Sequence, residues 1–134
     1  MIRAVVDTNV LFTGLTRLGP EARVVDLWVA RKFVPCVSTA LALEYEDVLG
    51  RKLGPEKRRR SLAALQALLS RAEFVPIWTR VRPMSPDPGD DFLIEAALNG
   101  RACLVSQNLK DLKVAEAALN ISVLSAKQFL LALE

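Results

Sequence analysis

Histidine is absent from all 134 residues. That excludes a Ser-His-Asp triad, a Cys-His pair and any nuclease mechanism that uses imidazole as its acid or base. Cysteine occurs only twice, and two cysteines without histidine are too few for an ordinary structural zinc site. Cys36 and Cys103 lie in the apolar runs Phe33-Val34-Pro35-Cys36-Val37 and Ala102-Cys103-Leu104-Val105, and read as buried, reduced thiols. No apolar run reaches the roughly 18 residues that span a bilayer. One charge precedes Asp7, and no small-residue cleavage site follows an apolar stretch, so no signal peptide and no membrane association are expected and the chain reads as cytoplasmic. Any hydrolytic chemistry here has to rest on carboxylates, with a hard metal ion as their partner.

What is present suits one compact domain. A chain of 134 residues buries about two-thirds of its unfolded surface. A hydrophobic share of 51% fits an α/β core and excludes disorder. Strands are expected at Arg3–Val6, Phe33–Val37, Phe74–Ile77, Ala102–Val105 and Ile121–Leu124, each short and apolar. Helices alternate with them. Gly19-Pro20-Glu21 opens the first, with Val24, Val25, Leu27 and Trp28 as its apolar face. Ser38 caps the second, from about Thr39 to Leu49, with Gly50 at its end. Pro55 opens the third, where Leu62, Leu65, Leu68 and Leu69 recur at helical spacing. The fourth runs from Asp90 to Asn99-Gly100, the fifth from Asp111 to Leu119 and the sixth from Ala126 to Leu133. This alternation implies right-handed βαβ units: an α/β fold whose mainly parallel sheet of four to five strands is covered on both faces.

Acids fall at the ends of these elements. Asp7-Thr8-Asn9 follows the first strand, and ligand sites of open parallel sheets form at the carboxyl ends of their strands. Asp7 read alone is also a turn or cap residue, and Thr8 and Asn9 are equally turn formers. Glu44 flanks the apolar stripe Leu41, Tyr45, Val48 and Leu49, whereas Glu46 and Asp47 are placed for solvent. The densest group is Asp87-Pro88-Gly89-Asp90-Asp91, after the Pro/Gly-rich loop 82–89. A helix-terminal cap accounts for one of those acids but not for three within five residues. Asp111 adds a sixth. Carboxylates brought together repel unless a cation neutralises them, and Mg²⁺ or Mn²⁺ suits an all-oxygen set. One such ion holds a phosphodiester oxygen and activates a water; a second steadies the leaving oxygen.

The net charge is +3 and the isoelectric point about 9.1. Arg51, Lys52, Lys57, Arg58, Arg59 and Arg60 crowd into ten positions, a cluster that attracts nucleic-acid phosphates or merely solvates a helix.

Four segments together resemble the PIN-domain family: the strand ending in Asp7-Thr8-Asn9; Ser38 to Glu44 continuing as Tyr45-Glu46-Asp47-Val48-Leu49; Asp87-x-x-Asp90 leading into an alanine-rich helix; and Val105-Ser106-Gln107-Asn108-Leu109-Lys110-Asp111. The likeness runs in order over nearly the whole chain and lies in the set, not in any one motif. It implies a three-layer α/β/α sandwich and a Mg²⁺- or Mn²⁺-dependent endoribonuclease of VapC-like toxin type, with an antitoxin protein as partner and a homodimer as one assembly. Carried over residue by residue, Asp7, Glu44 and Asp90 become the principal metal-holding and catalytic acids and Asp87 an accessory one. Thr8, Asn9 and Ser106 become polar support. Apart from the likeness, the basic run makes Lys57, Arg58, Arg59 and Arg60 the expected RNA-binding residues, through phosphates rather than bases. Asn108 stands where many members carry a fourth aspartate, with Asp111 nearby to substitute through a water; this departure bears on the second metal and on full activity. Two other readings stay open: a PIN fold that binds RNA or a partner without cutting, and a phosphotransfer domain. Against the latter, a haloacid-dehalogenase-like phosphatase would need aspartate where Asn9 stands, and a receiver domain would need one after the strand that Trp78 follows.

Overall fold

The computed structural model describes residues 1–81 and 88–134, so Asp87 lies outside the described residues. Five strands are β1 (Arg3–Val6), β2 (Val34–Val37), β3 (Glu73–Phe74), β4 (Cys103–Val105) and β5 (Val123–Leu124). The helices are α1 (Thr8–Thr16), α2 (Pro20–Val29), α3 (Thr39–Lys52), α4 (Pro55–Leu69), α5 (Pro88–Gly100), α6 (Lys113–Leu119) and α7 (Ala126–Ala132).

The strands form one sheet in the order β3-β2-β1-β4-β5 with every pairing parallel. From β1 the chain steps outward to β2 and β3, then returns to the other side of β1 for β4 and β5. Right-handed crossovers therefore place α1 to α4 on one face and α5 and α6 on the other. The packing agrees: α5 lies on β1, β2 and β4, while α7 joins α2 on the opposite face. This is the three-layer α/β/α architecture. Strand order reverses between β1 and β4, so the crevice at their carboxyl ends is the topological switch point, where open α/β sheets bind ligands.

Aromatic packing closes the α2–α7 face. Phe33 meets Trp28 and Phe129 edge-on, with ring centroids 6.3 and 4.9 Å away, and the buried Trp28 Nε1 donates to Leu68 O at 2.9 Å. Between α1 and α2 there is little room. A Cβ on Gly14 would sit 2.6 Å from Glu21 O and 2.7 Å from Val25 Cγ2.

Several elements depart from the sequence expectations. Helix α1 occupies a stretch read only as a turn. Strand β3 is the pair Glu73–Phe74 rather than Phe74–Ile77, because Pro76 has no N–H to extend the ladder. Helix α3 continues through Gly50 to Lys52, α5 begins at Pro88 rather than Asp90, and α6 begins at Lys113, leaving Asp111 in the turn before it. Cys36 is buried as expected, but Cys103 is only partly so. Among the described residues no helix is long and apolar enough to cross a membrane.

Candidate active site

The crevice is built outward from β1. Asp7 N–H donates to Val105 O at 2.8 Å, so β1 and β4 stay paired as far as the acid itself. Asp7 is also the N-cap of α1, its Oδ1 accepting from the Asn9 backbone N–H at 3.4 Å. Its other oxygen, Oδ2, accepts from Ser106 Oγ at 2.6 Å. Both residues are buried, Asp7 at 5% and Ser106 at 0% exposure. The distance lies within the range of hydroxyl-to-carboxylate hydrogen bonds. Asn9 thus supports Asp7 through its backbone, with its side chain on an exposed residue.

Glu44 comes from α3. That helix starts immediately after β2, with Ser38 Oγ accepting from Leu41 N–H at 3.1 Å as its cap. Glu44 is half-buried, and Thr8 Oγ1 donates to its Oε2 at 3.0 Å. Consecutive residues thus supply one carboxylate, Asp7, and the hydroxyl that holds another, Glu44. The neighbouring Tyr45 is fully buried and donates its hydroxyl to Val6 O, tying α3 to the last residue of β1. Burial pushes the Tyr45 phenol well above its ordinary range, and the negative charges of Asp7 and Glu44 push it further. The crevice is thus a region of negative potential.

Asp90 sits in the first turn of α5 and is 6% exposed; Asp91 beside it is half-buried. Because α5 precedes a parallel strand, it runs against the strands and presents its N-terminus at their carboxyl edge. Helix α3 packs against α5. Asp7, Glu44 and Asp90 therefore lie on three elements that share one edge of the sheet. Among the described residues, no three acid or thiol side chains close around a single point. The set is an open cluster of oxygen donors on separate elements, without thiolate or imidazole. That chemistry fits a hard divalent cation such as Mg²⁺ or Mn²⁺.

Asn108 and Asp111 extend the network away from the crevice. Asn108 N–H donates to Ser106 Oγ at 2.9 Å, and Asn108 Nδ2 donates to Asp111 Oδ2 at 2.9 Å. Asn108 and Ser106 form a relay that joins Asp111 to Asp7.

The basic run is divided. Lys57 and Arg60 line a cavity against α1, whereas Arg58 and Arg59 line a different surface of α4 with Leu62 and Gln66. The four do not form one patch.

One clamp escaped the sequence reading. Glu95, buried in α5, accepts from Val81 N–H at 3.2 Å. Asn99 Oδ1 accepts from Trp78 and Thr79 N–H at 3.0 and 2.9 Å, and Asn99 Nδ2 donates to Thr79 O at 2.7 Å. These residues bind the segment after β3 along α5. Their i, i+4 spacing on one helix is the signal that would have found them.

The model of the PIN-domain family matches residues 3–110. The chain belongs to the PIN-domain family. Nuclease activity is typical of that family, and its members generally use divalent metals. Comparison with curated proteins gives no match. Among solved structures, the chain is similar to VapBC2 from Rickettsia felis bound to a promoter DNA fragment, at 13% identity and TM-score 0.66 over 92% of this chain and 98% of that one. It is similar to FitAcB from Neisseria gonorrhoeae at 13% identity and TM-score 0.65, over 92% and 98%. PAE2754 from Pyrobaculum aerophilum aligns at 16% identity and TM-score 0.64, over 98% and 89%. At such identities these likenesses establish the fold.

Proposed function

We propose that this PIN domain is a Mg²⁺- or Mn²⁺-dependent endoribonuclease acting on single-stranded or structured RNA, and the toxin of a toxin–antitoxin pair. The observation that carries the reading is two hydroxyl-to-carboxylate bonds at the switch point of the sheet, Ser106 to Asp7, buried, and Thr8 to Glu44, partly buried. Burying a carboxylate is costly unless its charge is used or compensated. Asp7, Glu44 and Asp90 are the residues that would hold the cation, with Asp87 as an accessory acid. A bound divalent ion would neutralise phosphodiester charge and lower the pKa of water. The chain's own contribution is preorganisation: Ser106 and the Asn9 backbone orient Asp7, Thr8 orients Glu44, and Tyr45 anchors α3 against β1. The VapBC-type neighbours support an antitoxin partner.

A second reading is favoured by one contact. Asn108 replaces an acid and spends its amide on Asp111, which suits a PIN fold that binds RNA without cutting.

Cleavage of labelled single-stranded RNA with Mg²⁺, Mn²⁺ or EDTA tests the choice. Cutting should need metal and vanish in Asp7→Asn and Asp90→Asn variants that still melt cooperatively. Equal rates in parent and variants would refute the site. RNA binding without cleavage under either metal would transfer support to the second reading.

A further inference from the structure

The cavity between α1 and α4 has a composition that the acidic crevice does not explain. It is an open recess of about 500 Å³ lined by Phe12, Leu15, Leu53 and Ala64, by Thr16 and Ser61, and by Arg17, Lys57 and Arg60. That volume lies in the range of small-ligand sites. Lys57 and Arg60 share a helix face by their i, i+3 spacing. Lys52 adds a further cation at the same lip, its Nζ 5.4 Å from the Phe12 ring centroid. Among the described residues, none of these four cations is in an ion pair. An apolar recess rimmed by positive charge, with no acid among its described lining residues, is complementary to a polyanion that carries flat apolar groups.

Helix α1 joins the recess to the candidate active site. It starts at Thr8, which holds Glu44, and climbs about 1.5 Å per residue, so Phe12 and Thr16 stand roughly 6 and 12 Å from Thr8 along its axis.

We propose that this cavity is a nucleobase pocket: it receives one unpaired base of single-stranded RNA beside the nucleotide at the acids, while Arg17, Lys57 and Arg60 hold the flanking phosphates. Sequence selection in RNA works on unpaired bases splayed into such recesses. Thr16 and Ser61 supply the hydroxyls that distinguish base edges. Arg58 and Arg59, on the other surface of α4, stay outside the site. This inference rests on the ribonuclease reading and narrows it to substrates with an unpaired nucleotide at a fixed offset from the cut.

The test is fluorescence anisotropy with labelled 12-nucleotide homopolymers of U, C and A, using Asp90→Asn protein so that the RNA stays intact. Lys57→Ala/Arg60→Ala in that background should weaken binding at least tenfold. It should also reduce the salt slope by about 1.4, the value for two lost phosphate contacts on a single strand. Arg58→Ala/Arg59→Ala removes the same charge from the other surface and should change affinity less than twofold. Ala64→Leu, which fills the recess and keeps every cation, should level the three homopolymers while retaining the salt slope. Equal losses in the two double variants would reduce the effect to general charge and overturn the pocket. RNA binding indifferent to Lys57→Ala/Arg60→Ala would overturn it too, and would leave the recess to a protein partner. If parent and variants bind no homopolymer at all, the ribonuclease reading falls and the pocket with it; metal-dependent cutting by the parent separates that case from failure of the pocket alone.

Discussion

Ser106→Ala isolates the bond on which the crevice depends. Ser106 Oγ donates to Asp7 Oδ2 at 2.6 Å and accepts from Asn108 N–H at 2.9 Å, at a residue with no exposed surface. A hydrogen bond to a charged group contributes about 1.5–3 kcal/mol, and a buried donor left without its acceptor costs about 1–3 kcal/mol. The two effects share one atom and overlap, so a net loss of roughly 3 kcal/mol is expected. For 134 residues the unfolding entropy is roughly 0.28 kcal/mol/K near 60 °C, which turns that loss into a fall in Tm of about 10 °C. Calorimetry and urea unfolding measure it directly. Ser70→Ala is the control: it deletes an exposed hydroxyl that donates to Ala67 O at 2.7 Å and should stay within about 0.5 kcal/mol. A double-mutant cycle with Asp7→Asn should show coupling of about 1.5 kcal/mol or more. Additive effects, or a Ser106→Ala loss below about 1 kcal/mol, would refute the claim that Ser106 holds the carboxylate.

Three further outcomes are expected. Mn²⁺ at about 100 times its dissociation constant should stabilise the native protein by roughly 2.7 kcal/mol, near 10 °C in Tm, and Asp90→Asn should blunt that response; identical shifts in thermal melts would remove Asp90 from the site. The Arg3 guanidinium, bonded to Glu73 and through Nε to Gly100 O at 2.8 Å, holds the Glu73 carboxyl below its ordinary range. A depressed carboxyl stabilises above its unfolded pKa near 4.3–4.5 and loses that contribution as pH falls through the folded value, so Glu73→Gln should be less stable than the parent at pH 7, by under about 1 kcal/mol for so exposed a pair, with the gap closing towards pH 3 in acid titrations. Gly14→Ala would press a methyl onto Glu21 O at 2.6 Å, a backbone atom that cannot swing aside, and should cost about 1–3 kcal/mol in chemical denaturation; a neutral or stabilising result would mean that α1 and α2 part easily.

The layered architecture was legible because short apolar strands alternate with helices whose starts are marked: Ser38 caps α3, and Pro20 and Pro55 stand in the first turns of α2 and α4. Helix α1 was not. Thr8, Val10, Thr13 and Thr16 are β-branched and Gly14 adds entropy, so the intrinsic preference is weak and Asp7-Thr8-Asn9 looks like a turn. Its helicity comes from packing on α2 and α3, which no local window contains. The candidate acids were visible as types at element ends, and the family likeness named Thr8 and Ser106 as support. Their partners, Glu44 and Asp7, are separated from them by 36 and 99 positions, so the pairing is a property of the sheet order. Division of the basic run was hidden because four consecutive residues look alike in a string, while a helix turns about 100° between each of them.

The central place of β1 has a consequence for when the crevice can form. Its partner on one side, β2, is complete by residue 37, but its partner on the other, β4, ends at Val105, and Ser106 follows. By the logarithmic law for loop closure, joining residues 99 apart costs roughly 1 kcal/mol more than joining residues 31 apart, so β1–β2 pairing should come first. During synthesis the hydroxyl that orients the first acid emerges 99 residues after it. A nascent or truncated chain ending before β4 can hold Asp7 and Glu44 but not the constellation. Completion of the crevice is thereby deferred until β4 has been made.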